Sequence, residues 1–104
     1  KEITVKKNTI FYLSDGTGIT ATTLGRSLLT QFETLHFNEV TIPYVNTREK
    51  ADEICLQINK IYDETKQKPL VFCTFVNSEL NQIFQNSKAL VLDFFKTFIG
   101  PLEN

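Results

Sequence analysis

A chain of 104 residues with 41% hydrophobic and 22% charged side chains is long enough to bury one core and suits a single compact domain. Eleven Lys and Arg against twelve Asp and Glu leave a net charge of -1, which gives no electrostatic reason to expect nucleic acid or an anionic membrane surface as a partner. No apolar run reaches the roughly 18 residues of a membrane span, and the polar start KEITVKKNT has no signal-peptide pattern, so a cytoplasmic protein is expected.

In chain order, residues 1–8 read as a polar lead-in with strand character at Ile3, Thr4 and Val5. Residues 9–13 form a nearly continuous apolar run, the pattern of a short strand covered on both faces. SDGTGIT follows, where a strand would hand over to a helix. Exposed amides at a helix start, with the helix dipole behind them, attract anions. The glycines allow close backbone approach, and the hydroxyls can donate hydrogen bonds. Ser14, Asp15, Gly16, Thr17, Gly18 and Thr20 are therefore the candidate anion- or phosphate-binding residues. The competing reading is a tight turn, with glycines at positive φ and Thr20 as the helix cap. The loop matches neither GxGxxG nor GxxxxGK[ST], and Asp15 would repel an anion unless it turned away.

Ala21, Leu24, Leu28 and Phe32 recur at helical spacing, with Leu29 widening the stripe. Gly25 lies inside that helix at a cost of about 1 kcal/mol relative to alanine, which is accepted where another backbone must pass close. Residues 37–45 read as a second strand, and Asn46 or Thr47 as the cap of the next helix. Ala51, Ile54, Cys55, Ile58, Ile61 and Tyr62 make that helix the clearest in the chain, with Pro69 beyond its last turn. Residues 70–76 are a third strand, Asn77 caps a short helix carrying Leu80, Ile83 and Phe84, and residues 89–92 are a fourth strand ending at Asp93. Phe94, Phe95, Phe98 and Ile99 return to helical spacing before Gly100-Pro101. A tail so apolar packs on this domain, or covers a surface shared with further sequence or a second copy.

Strands alternating with helices imply parallel strands joined by right-handed crossovers. The expected fold is α/β: three layers, a mainly parallel four-stranded sheet with helices on both faces, Rossmann-like or flavodoxin-like, in strand order 2-1-3-4. Metal binding is not expected. Two cysteines, no CxxC and a single histidine, His36, read as a loop residue, form no ligand set. Cys55 and Cys73 read as small buried hydrophobes of a reducing compartment. Asp15 and Asp93 both follow strands; two solvated strand-end carboxylates outweigh a magnesium site or an acid/base pair. Tyr12, Tyr44 and Tyr62 read as half-buried packing residues.

FYLSDGTGITATTLGRSLLTQF, VTIPYVNT, KPLVFCTFVNSEL and ALVLDFFKTFIGPLE appear in this order and cover nearly the whole chain. Together they resemble the N-terminal part of the regulatory protein family that acts on phosphoenolpyruvate synthase and on pyruvate, phosphate dikinase. The resemblance implies a bifunctional enzyme. One activity is an ADP-dependent serine/threonine kinase that inactivates the target; the other is a phosphate-dependent phosphorylase that releases pyrophosphate. It further implies that ADP and inorganic phosphate are handled by a glycine-rich, lysine-bearing loop in the family's second half. Nothing in these 104 residues matches that loop, so no catalytic residue is assigned and no cofactor is expected here. The chain is then a single domain, the N-terminal fragment of a longer protein whose kinase domain is missing. Its expected partners are the target enzyme, that missing domain and, given the apolar tail, a second copy. The family often carries glutamate where this chain has Thr22. Two other readings compete: a flavodoxin-like carrier, since Thr17-Gly18-Ile19-Thr20 fits a TGxT flavin mononucleotide loop, and a structural dimerisation module.

Overall fold

A computed structural model describes residues 8–31, 37–96 and 100–102. The alternation read from the sequence is realised as β1 (Asn8–Ser14), α1 (Ile19–Leu29), β2 (Phe37–Ile42), α2 (Arg48–Thr65), β3 (Leu70–Thr74), α3 (Ser78–Gln85), β4 (Leu90–Asp93) and α4 (Gly100–Leu102). The four strands form one sheet in the order β2-β1-β3-β4, every pair parallel. This is the expected α/β fold and strand order.

Alternate residues of a strand point to opposite faces, and β1 shows why its apolar run is continuous. Ile10 and Tyr12 join Phe72 and Phe94 in a core under α1, whereas Phe11 and Leu13 join Val71 and Cys73 in a core under α2 and α3. Ala51, Ile54 and Ile58 are the buried line of α2, and Leu80 and Phe84 that of α3. Three layers result, with α1 against one face of the sheet and α2 and α3 against the other.

The stripe proposed for α1 is corrected. Ala21 and Gly25 are its buried residues, while Leu24 and Leu28 remain 36% and 45% exposed. A Cβ on Gly25 would stand 2.6 Å from Tyr12 Cε1 and 2.7 Å from Phe72 Cδ2. Two aromatic side chains press on this glycine, not a passing backbone. The helix therefore sits down along its small residues, and the leucines flank the contact. Phe32 and His36 lie outside the described residues.

Capping follows the polar residues between elements. Thr47, not Asn46, caps α2, its side-chain oxygen accepting from Lys50 N at 3.1 Å. Asn77 Oδ1 accepts from Glu79 N and Leu80 N at 2.8 and 3.1 Å and starts α3. Thr20 is not the cap of α1. Gly18, with φ 85°, holds that position without a side-chain cap, and the helix begins one residue before Thr20. Gly18 is also the only described glycine with positive φ, so Gly16 needs no such conformation.

Phe94 settles part of the reading of the tail. It is 3% exposed and stacks on Phe72 with ring centroids 5.2 Å apart, so the chain folds back under the α1 layer directly after β4. Phe98 and Ile99 lie outside the described residues. Cys73 is buried and Cys55 half-buried, and both are free thiols. Burial pushes the Cys73 thiol up to about 12, with the Asp93 charge adding to it. Burial, then Asp52, pushes Cys55 up to about 11. Both are protonated and poorly nucleophilic at neutral pH. Tyr12 is fully buried rather than half-buried, and Tyr44 is 57% exposed.

Candidate functional site

In open parallel sheets the ligand crevice lies beyond the carboxyl ends of the strands, where the strand order reverses. Here that point is between β1 and β3, and it is filled from within. Ser14 is 4% exposed, and its Oγ accepts from Gly16 N at 2.9 Å and from Thr74 Oγ1 at 3.2 Å. Asp15 Oδ2 accepts from Val76 N at 2.9 Å and Asn77 N at 3.3 Å, which ends β3 at Thr74 rather than at residue 76. On the other side, Tyr44 N donates to Gly16 O at 2.8 Å and Val45 N to Ser14 O at 2.9 Å. β2 therefore ends at Ile42, just before Pro43, and not at residue 45. Tyr44, at φ 58°, takes a left-handed conformation that a bulky side chain rarely adopts.

One open space lies a strand over. A groove of about 360 Å³ is lined by Thr17, Gly18, Ile19, Thr22, Thr23, Arg26 and Thr41. The amides of Thr17, Gly18 and Thr20 have no acceptor among the described residues, while Ile19 N donates to Thr17 Oγ1 at 3.3 Å. Thr22 Oγ1 is buried and lacks a hydrogen-bond partner there. Leaving such a hydroxyl unsatisfied costs about 1–3 kcal/mol, a cost that a ligand or water in the groove would relieve. Arg26 supplies the positive charge. The lining residues thus bring together hydrogen-bond donors of three kinds: backbone amides, threonine hydroxyls and a guanidinium.

Arg26 is itself held from the sheet. Its Nε donates to Glu39 Oε1 at 2.9 Å, and the same oxygen accepts from Tyr12 OH at 2.9 Å. The guanidinium carbon stands 6.0 Å from the Tyr12 ring centroid. With the two charged side chains 62% and 37% exposed, this pair contributes little stability and chiefly fixes direction. The Arg26 hydrogen bond is the main cause that holds the Glu39 carboxyl below the usual carboxylate range. Burial, followed by the hydrogen bond to Glu39, pushes the Tyr12 phenol up to about 12.

A pH limb follows from that phenol. The folded state favours neutral Tyr12, so its contribution is complete below the unfolded-state value of about 10 and is lost as pH rises toward 12. Stability should fall over that interval in the protein and fall less in Tyr12→Phe. Denaturation midpoints taken through this range, beside the 295 nm difference spectrum, measure it; equal slopes for both proteins would contradict it.

Of the residues singled out from the sequence, Thr17 and Gly18 line the groove. Ser14, Asp15 and Gly16 belong to the bonded loop behind it, and Thr20 lies on the first turn of α1 outside the lining. The motif reading missed Thr22, Thr23, Arg26 and Thr41. Thr22 and Arg26 are four residues apart on α1, so helical spacing alone puts them on one face. Thr41 comes from β2 and pairs with Tyr12, a placement that strand register decides. Asp93 and Asp15 do not pair: Asp93 Oδ1 accepts from Lys96 N at 3.0 Å. Among the described residues no group of His, Cys, Asp or Glu is arranged to hold a metal ion, and no helix is long and apolar enough to cross a membrane.

Comparison with known proteins adds the family. The model described as kinase/pyrophosphorylase matches residues 10–104. The phosphoenolpyruvate synthase regulatory protein of Legionella pneumophila (strain Corby) is 51% identical over 98 residues, covering 94% of this chain and 36% of the relative. Its namesake from Alcanivorax borkumensis is 49% identical over 98 residues, with the same coverage of 94% and 36%. That of Pseudomonas savastanoi pv. phaseolicola is 46% identical over 97 residues, covering 93% of this chain and 36% of the relative. The chain thus spans little more than a third of the length of the curated relatives it matches.

Proposed function

The chain belongs to the kinase/pyrophosphorylase family, and from that premise we propose that it is the substrate-recognition domain of a bifunctional protein kinase and phosphorylase acting on phosphoenolpyruvate synthase. In this reading the whole protein inactivates its target by ADP-dependent phosphorylation of a threonine. It restores the target by phosphate-dependent removal of the group, with release of pyrophosphate. The part of the chain described here contributes an anion-accepting groove, not the nucleotide chemistry. Thr17 and Gly18 offer amides, Thr22 and Thr23 hydroxyls, and Arg26 its guanidinium to a phosphate oxygen.

The observation that carries the reading is the groove's donor set, built by one loop and one helix on a sheet matched to the family over residues 10–104. The separation of roles is supported by the sequence itself, which has no GxxxxGK[ST] segment to cradle a nucleotide's phosphates. Incubating this chain with ADP and phosphoenolpyruvate synthase should transfer no phosphate to the target, as read by phosphothreonine mass spectrometry. Transfer by these 104 residues alone would overturn the assignment.

A further inference from the structure

Asp15 behaves contrary to what an acidic residue beside an anion groove invites. Its carboxylate turns away from the groove and crosses the sheet edge, where Oδ2 takes the amides of Val76 and Asn77 at 2.9 and 3.3 Å. Asn77 is also the cap of α3, so the segment that starts α3 holds the loop that starts α1. From the opposite side, the amides of Tyr44 and Val45 hold the carbonyls of Gly16 and Ser14. The backbone at residues 14–16 is therefore pinned from both neighbouring loops. Thr17 and Gly18 are the next residues along, leading from that pinned stretch into α1, and their amides have no acceptor among the described residues.

We propose that Asp15 is a positioning residue: its carboxylate, clamped on the amides of Val76 and Asn77, fixes the direction in which the Thr17 and Gly18 amides face the groove. Anion affinity then depends on a side chain that never touches the anion. This rests on the reading of the groove as an anion site. Geometry and charge act with opposite signs here, which makes the idea decidable. If Asp15 mattered only as a nearby negative charge, its removal would tighten anion binding. If it acts as a clamp, its removal loosens the loop and weakens binding.

Asp15→Asn keeps an acceptor oxygen and drops the charge; Asp15→Ala loses both. Inorganic phosphate titrated into the protein and both variants, with amide shifts followed by NMR, separates the cases. Asp15→Asn should bind phosphate at least as tightly as the unmodified protein, while Asp15→Ala should need about tenfold more. Without phosphate, Asp15→Ala should move the amides of Thr17 and Gly18 together with those of Val76 and Asn77. Phosphate affinity in Asp15→Ala equal to or tighter than the unmodified protein's, or Thr17 and Gly18 amides that stay in place, would overturn the proposal. If the unmodified protein ignores phosphate while the paired amide movements occur, the anion reading fails and the clamp stands. Should Asp15→Ala not fold, Asp15→Glu decides, because it keeps the charge and displaces the carboxylate by a methylene. Weakened phosphate binding in Asp15→Glu supports the clamp, and unchanged binding removes it.

Discussion

Replacing Phe72 with alanine is expected to cost about 3–5 kcal/mol of folding stability. The ring is 1% exposed and sits in the middle of the core under α1. It stacks between Tyr12, at 5.8 Å, and Phe94, at 5.2 Å, with interplanar angles of 13° and 15°. Each such aromatic pair adds about 0.5–1.5 kcal/mol beyond the area it buries. The cavity would open directly beneath Gly25, whose missing Cβ is the reason the helix reaches this depth. Neighbours cannot easily close it, because Tyr12 is anchored at its hydroxyl by Glu39. A domain of this size has about 5–15 kcal/mol in total, so the loss is a large fraction. Urea denaturation should show a lower midpoint with an unchanged slope. A loss under about 1.5 kcal/mol would mean that α1 does not rest on this ring.

The second large effect has a sign that local propensity gets wrong. Gly25→Ala would stabilise an isolated helix by about 1 kcal/mol. In this fold the added Cβ meets Tyr12 Cε1 at 2.6 Å and Phe72 Cδ2 at 2.7 Å. Both atoms belong to buried, stacked rings rather than to the tip of a flexible chain, so neither gives way cheaply. Overpacking of this kind costs about 1–3 kcal/mol and outweighs the propensity gain. The variant should melt at a lower temperature than the unmodified protein. The helix should also ride outward, carrying Arg26 away from Glu39 and disturbing the groove wall. A higher melting temperature would contradict the close approach of α1 to the sheet.

Much of the architecture was written in short-range pattern. The continuous run Ile10-Phe11-Tyr12-Leu13 reads as a strand buried on both faces, and it is one. Asn77 announces α3, and the strand–helix alternation implies the parallel strands that the sheet shows. What went unread depended on contacts across the chain. Leu24 and Leu28 look like core by spacing, yet Gly25 takes the contact because two rings from β1 and β3 occupy the space beneath it. β2 and β3 end three and two residues sooner than their apolar pattern suggests, because the amides of Tyr44, Val45, Val76 and Asn77 leave the ladder to hold the first loop.

The same limit governs the site. The candidate loop SDGTGIT divides in two once folded. Ser14, Asp15 and Gly16 turn inward or sideways, and Thr17 and Gly18 face the groove. Arg26 carries no loop signature, since it stands inside a helix, and only the register that sets Glu39 beside Ile10 brings it to the wall. A phosphate loop of the lysine type is recognisable from spacing alone; a groove assembled from a turn, a helix face and a strand is not.

Titration of inorganic phosphate into the 104-residue protein, with the amides of Thr17, Gly18 and Thr20 and the Arg26 Nε–H followed by NMR, tests the groove most directly. The expected result is saturable movement of these signals with one common midpoint, while the amides of α2 stay in place. Signals that do not move, or that drift together with those of α2 without saturating, would contradict it.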